Sequence, residues 1–307
     1  MRNAFLQTLL EIADADDSVV LLTGDLGFTV LEPFAERHPD RFFNVGVAEQ
    51  NMMGVATGLA SAGFTPYVYS IATFASMRPY EFLRNGAILH ELPVRVVGVG
   101  GGVDYGTNGA THHALEDVAL MRPQPGLAVI VPADAEQTRS AVLALRDLPG
   151  PAYLRLGKGG SAIPGLDGRF GLGRLELIGD GTDLAIVAYG AIAGEAVEAA
   201  EVLERKGVAA TVAVAAALSP APVEDLAALL AGVPLVISLE SHYPTGGIGS
   251  LVAEVIAERG LACRLVRKGV ESMSRGASGS PRHLAERHGL TAEQVAETAL
   301  QAVGTRL

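Results

Sequence analysis

Asn44-Val-Gly-Val-Ala-Glu-Gln-Asn-Met-Met-Gly-Val-Ala-Thr-Gly-Leu-Ala-Ser-Ala-Gly63 holds the pattern from which the fold is read. Met52, Val55, Ala56 and Leu59 recur in it at i, i+3, i+4 and i+7, one face of a helix. Gly54, Thr57, Gly58, Ala60 and Ser61 are small and would let that helix approach a neighbour closely. Glu49 stands in its first turn, where the helix dipole favours a carboxylate whatever else it does. Apolar runs of strand length lie on either side, at residues 19–23, 66–70, 94–99 and 127–131. Several are apolar at nearly every position, as expected of strands buried on both faces of a parallel sheet.

After Leu156 the alternation stops in a glycine-rich stretch, 157–179, which reads as a linker. A second series follows, with strands expected at 183–189, 210–214, 234–239 and 262–266 and a helix over about 194–206. The fold class expected is therefore α/β, with two consecutive domains, each a mostly parallel sheet flanked by helices. Their expected limits are 1–156 and 180–307.

The 307 residues suffice for two domains of roughly 150 residues each. Hydrophobic residues make up 49% and charged residues 19%, which fits a chain with a large core. A net charge of −11 argues against nucleic acid or an anionic membrane as partner. The single cysteine, Cys263, rules out an intrachain disulfide and a thiolate metal cage. Neither a signal-peptide pattern nor a stretch of about 20 apolar residues is found, so the expectation is a cytoplasmic protein.

Nucleotide and metal signatures fail in turn. Gly98-Val-Gly-Gly-Gly-Val puts Val103 where a dinucleotide fingerprint needs its third glycine, and Gly157-Lys-Gly lacks the leading glycine and the Ser or Thr of a P-loop. His112 and His113 are adjacent, which is poor spacing for one ion, and no metal site is expected.

Three segments in order resemble the transketolase family. The segment with Glu49 is similar to the helix whose glutamate contacts the aminopyrimidine ring of thiamine diphosphate. Residues 66–85 resemble the segment whose aromatics stack on that ring, with Phe74 and Tyr80 on aromatic positions and Met77 where many members carry another. Residues 106–122 resemble the family's substrate-histidine loop, with His112 on the histidine. The resemblance spans nearly the whole chain, as a pyrimidine-binding domain followed by the transketolase C-terminal domain, which includes Glu240-Ser-His-Tyr-Pro-Thr-Gly-Gly-Ile-Gly.

The resemblance implies a catalytic pair, Glu49 and His112, and a cofactor surface of Glu49, Phe74, Tyr80, Met77, Asp25 and Leu26. It assigns substrate contacts to His112, Asn108, Thr29 and two phosphate-gripping arginines, Arg155 and Arg2. Gly100 replaces a phosphate-contacting histidine, and Asn108 replaces an aspartate, turning an acceptor into a group that also donates. Both changes point to a sugar, or terminal anionic group, other than the usual pentose phosphate.

No counterpart of the family's pyrophosphate-binding domain is expected within these residues. Gly179-Asp-Gly begins like its metal motif, but no asparagine follows Asn108, so this tripeptide reads as a turn. The implied partner is a separate pyrophosphate-domain transketolase N-terminal subunit, carrying the Mg²⁺ or Ca²⁺, in a heterotetramer. Such a complex would transfer a two-carbon ketol unit from a ketose, phosphorylated or otherwise anionic, to an aldehyde. The rival readings are the β subunit of a 2-oxoacid dehydrogenase first component, half of a split 1-deoxyxylulose-5-phosphate synthase, and an inert scaffold.

Overall fold

The computed structural model describes residues 1–272 and 278–304. Twelve strands are found among them: β1 Val19–Thr23, β2 Phe42–Asn44, β3 Thr65–Ile71, β4 Arg95–Val99, β5 Ala128–Ile130, β6 Ala152–Leu156, β7 Glu176–Ile178, β8 Leu184–Ala188, β9 Ala210–Val214, β10 Ala217–Ser219, β11 Leu235–Leu239 and β12 Arg264–Lys268. They form a seven-stranded sheet, β10-β5-β6-β4-β3-β1-β2, and a five-stranded sheet, β12-β11-β8-β9-β7. Parallel pairing runs through both, apart from one antiparallel edge strand in each, β10 and β7. The strands β1, β4, β6, β8 and β11 are buried at every position, as expected of largely apolar strands in a parallel sheet, and β4 and β6 each bury an arginine as well, Arg95 and Arg155.

Two features depart from the sequence reading. The end of the glycine-rich stretch, expected as linker, is strand β7, which pairs with β9. Three residues allow no periodicity to show. Strand β10 follows β9 in the chain but pairs antiparallel with β5, on the other sheet. The two halves are thus laced together at a sheet edge, and a division at the linker misses that pairing. The preceding part of the linker is also tied down. Asp134 caps the helix Ala135–Arg146 by accepting from Gln137 N at 2.8 Å, and its second oxygen accepts from Ile163 N at 3.1 Å. Gln137 Nε2 in turn donates to Arg169 O at 2.8 Å.

Arg122 and Arg155 supply polar joints between the halves. Arg122 donates from Nη1 to Gly246 O at 2.9 Å and Gly247 O at 3.1 Å, and from Nη2 to Glu254 Oε2 at 2.6 Å. Arg155 forms the more deeply buried joint. It lies on β6, is 4% exposed, and its Nε donates to Asp117 Oδ2 at 2.8 Å. Its Nη2 donates to Ala114 O and to Ser241 O, both at 3.0 Å. Tyr153 donates to the same Asp117 oxygen at 2.6 Å. Burial is the largest influence on the Arg155 pKa and acts to lower it, but Asp117, Tyr189, Tyr153 and Asp104 together outweigh it and hold the guanidinium above its ordinary value.

A second buried acid lies next to this joint. Glu240, fully buried, accepts from Ile248 N and Gly249 N at 3.0 Å each, at the start of the helix Ile248–Arg259. Tyr189 donates to it at 3.2 Å. Burial pushes Glu240 up to about 7, against the pull of those donors.

Both buried charges can be tested by substitution. Asp117→Ala leaves a buried guanidinium without its counter-ion and should cost about 3–5 kcal/mol in denaturant unfolding. Asp117→Leu combined with Arg155→Met should recover part of that loss. For Glu240 the folded pKa lies above the ordinary 4.5, so the native state holds the extra proton between the two values. Stability should then fall as pH rises from about 4.5 to about 7, by about 3 kcal/mol from this group. Unfolding of Glu240→Gln followed against pH should show a correspondingly flatter profile.

Candidate functional site

The sequence-derived candidates gather outside the carboxyl ends of neighbouring strands of the larger sheet, the usual place for a ligand in an open parallel sheet. Asp25, Leu26 and Thr29 follow β1, Glu49 follows β2, Phe74 and Met77 follow β3, and Asn108 and His112 follow β4.

Glu49 opens the helix Glu49–Ser61 and is 2% exposed. Ser70 Oγ, on β3, donates to its Oε1 at 3.3 Å, and Arg78 Nη1 donates to its Oε2 at 2.7 Å. The loop after β1 passes against it at Gly24, where a Cβ would stand in ordinary contact, 3.7 Å from Oε1. A carboxylate this deep is costly unless partnered, and among the described residues these two donors are its side-chain partners.

Phe74 and His112 form the second part of the recess. Their ring centroids lie 5.2 Å apart at 64°, an edge-on contact. The guanidinium of Arg78 lies 3.9 Å from the Phe74 centroid, so a single flat cation bridges Phe74 and Glu49. His112 Nδ1 is 3.0 Å from Thr111 Oγ1, which leaves Nε2 for another partner. Its neighbour His113 is buried, and burial lowers its pKa.

Tyr105 closes the far side. Its ring lies 6.1 Å from His112 and carries the Lys158 ammonium 4.1 Å from its centroid. Gly100, at φ +76°, makes room for it: a Cβ there would stand 2.1 Å from Tyr105 Cε2. Lys158 N donates to Asp104 Oδ2 at 2.8 Å, which fixes the start of the linker beside this ring. Burial raises the Asp104 pKa, and Lys158, Arg155 and Arg2 all act to lower it, so cations surround this corner.

The remaining candidates are placed as follows. Asp25 and Thr29 lie in exposed loop positions with positive φ, and Asn44 bonds Asp25 through its backbone N and Oδ1. Leu26 packs at the edge of the core, Met77 is 40% exposed, and Asn108 is exposed. Arg2 opens the first helix, half-buried. Two candidates have polar groups engaged by the fold. Tyr80 packs against the core and donates to Leu120 O at 2.8 Å, so its hydroxyl is committed to the fold. Arg155, expected at a substrate phosphate, is one of the interdomain joints described above. The reason is positional: it lies inside β6, whereas Lys158 lies two residues beyond the strand's end. Arg78, Tyr105, Lys158 and Ser70 were not foreseen. The lysine's place just past a strand end was the one available signal.

The recess accepts a flat group with N–H donors, because Arg78 already lies there between an aromatic face and a carboxylate. That matches what an aminopyrimidine needs. A divalent metal is a different matter: among the described residues no three His, Cys, Asp or Glu side chains are grouped to hold one. No described helix is long and apolar enough to cross a membrane.

Comparison with known proteins agrees with this geometry. Residues 1–161 match the transketolase pyrimidine binding domain and residues 173–295 the transketolase C-terminal domain. The chain is 35% identical over 307 residues to one of the subunits of an apulose-4-phosphate transketolase from Phocaeicola vulgatus, covering 98% of this chain and 97% of that one. It is 35% identical over 301 residues to a 6-deoxy-6-sulfo-D-fructose transketolase subunit of a Clostridium species, covering 97% and 93%. A solved split-gene transketolase, an inactive β4 tetramer, superposes with a TM-score of 0.90 at 38% identity, covering 99% and 98%.

Gly100→Ala tests the packing of this corner. The methyl group and the positive φ together should cost about 1–3 kcal/mol and displace Tyr105 from beside His112. Thermal unfolding reads the first effect, and a crystal structure of the variant reads the second.

Proposed function

This chain belongs to the transketolase family, and from that premise we propose that it is the pyrimidine-side subunit of a two-chain, thiamine diphosphate-dependent transketolase. Its reaction would move a two-carbon ketol unit from an anionic ketose to an aldehyde. The observation that carries this reading is Glu49, a carboxylate only 2% exposed that opens onto the same recess as Phe74 and His112. An inert scaffold has no use for so costly a group there.

Thiamine diphosphate, when bound, supplies the electron sink that lets the bond beside a ketone break. This chain's residues bind and orient. Phe74 offers its ring face to the pyrimidine, with Met77 and Leu26 as apolar neighbours and Asp25 at the rim. Glu49 holds a proton between its carboxylate and the pyrimidine ring nitrogen. His112, with Nδ1 beside Thr111, turns Nε2 to the substrate's carbonyl or hydroxyl oxygen and moves a proton there. Lys158 and Arg2 attract the donor's terminal phosphate or sulfonate, with Asn108 and Thr29 on the sugar hydroxyls. An ammonium over an aromatic ring stays available to an anion, which suits Lys158 for the place first given to Arg155.

The diphosphate and its Mg²⁺ or Ca²⁺ would be held by a pyrophosphate-domain subunit, two copies of each chain forming a cytoplasmic heterotetramer. The relatives named as subunits, and the solved homotetramer described as inactive, support a division of the site between chains.

Ketol transfer by the reconstituted complex tests the reading. Turnover from a ketose phosphate or sulfonate is expected, with Glu49→Gln lowering kcat at least about 100-fold. Lys158→Met should raise KM for the anionic donor about tenfold and leave kcat near its starting value. Pyruvate decarboxylation without ketol transfer would instead identify a 2-oxoacid or deoxyxylulose-phosphate enzyme. Absence of cofactor-dependent turnover with any donor would leave a scaffold.

A further inference from the structure

Arg78 already fills the place that the proposed cofactor site reserves for a pyrimidine, and the inference drawn from it rests on that site. Its guanidinium is flat, lies 3.9 Å from the Phe74 centroid, and donates to Glu49 Oε2 at 2.7 Å. Stacking on an aromatic face while giving N–H to a carboxylate is also what an aminopyrimidine would do in this recess. Both groups need the same carboxylate oxygens, since Ser70 already engages Oε1. We propose that Arg78 is an internal placeholder for the pyrimidine: it partners Glu49 in the cofactor-free protein and must withdraw before the cofactor can bind.

Several observations support the exchange. Without Arg78, the buried Glu49 would keep, among the described residues, only the Ser70 hydroxyl as a side-chain donor, and a buried carboxylate left so is costly. The Arg78 side chain is itself 44% exposed, so the way to solvent is open. It ends the helix Ala72–Met77 with ordinary helical φ and ψ, and Pro79 follows. The backbone there is held, and the withdrawal needs side-chain rotation alone. The cation belongs to the same chain as Glu49, so the placeholder acts whether or not a partner subunit is present.

The placeholder has two effects of opposite sign. It stabilises the cofactor-free protein and weakens cofactor binding by competition. A residue that merely supports the fold would weaken both when lost, and a residue that contacts the cofactor would weaken binding when lost.

The test uses the two-chain complex stripped of cofactor, comparing wild type with Arg78→Met, which keeps length and apolar stem but removes the charge and the N–H donors. Thiamine diphosphate with Mg²⁺ is titrated calorimetrically, and thermal unfolding of the cofactor-free complex is measured alongside. The expected result is binding about three- to tenfold tighter in Arg78→Met, together with a lower unfolding temperature without cofactor. Arg78→Lys, which keeps the charge without the flat fork, should fall between the two in affinity. Equal or weaker binding by Arg78→Met, with wild type binding normally, overturns the placeholder and leaves the cofactor site intact. Failure of wild type and both variants to bind overturns the cofactor site and the placeholder together.

Discussion

A guanidinium only 4% exposed ties together the elements on which the rest of this molecule depends. Arg155 reaches from the middle of the larger sheet to a carboxylate on the helix Asp117–Met121, to the backbone of the loop that ends at Ala114, and to the second domain at Ser241. Each contact is charge-assisted and shielded from water, so none can be given up cheaply. The loop it grips is the one that carries His112. The position of that histidine relative to Phe74 is therefore tied to the docking of the two domains. Strand β10, paired across to β5, adds a backbone constraint to the same joint.

With the halves locked, the strand order places the functional side chains. Strands β1 to β4 are adjacent in the order β4-β3-β1-β2, and each hands its following loop to one recess. Glu49 enters it from a helix start, Phe74 and Arg78 from the helix after β3, and His112 and Tyr105 from the loop after β4. The basic corner of Lys158 and Arg2 lies beside Tyr105 and gives an acidic chain a local attraction for an anion. On the proposed reading this is half of a site. The groups suited to a pyrimidine ring and a sugar are present, and among the described residues none are grouped for a divalent metal.

Most of the framework was legible because buried parallel strands write unbroken apolar runs. Strands β1 and β9 were read to the residue, and β3, β4, β8 and β11 to within a residue or two at each end. Strands β2, β6, β7 and β10 escaped: β2, β7 and β10 because three residues at a sheet edge show neither a run nor an alternation, and β6 because Arg155 interrupts its apolar run. Glu49, Phe74 and His112 were legible only as an ordered set, because each alone has an ordinary explanation. The burial of Arg155 was not legible, for a physical reason. A sequence shows that Arg155 is charged but not that Asp117, 38 residues earlier, is folded against it. Tyr105 was hidden behind a glycine: the space opened at Gly100 and the ring that fills it are visible only in three dimensions.

On this reading the chain holds one side of a cofactor site whose other side lies on a second polypeptide. Equilibrium dialysis of thiamine diphosphate and Mg²⁺ against this chain alone, the pyrophosphate-domain chain alone, and the two together tests that division directly. Saturable binding is predicted in the mixture, at one cofactor for each pair of chains, with little or none in either chain by itself. Tight, stoichiometric binding by this chain alone, or none in the mixture, would contradict it.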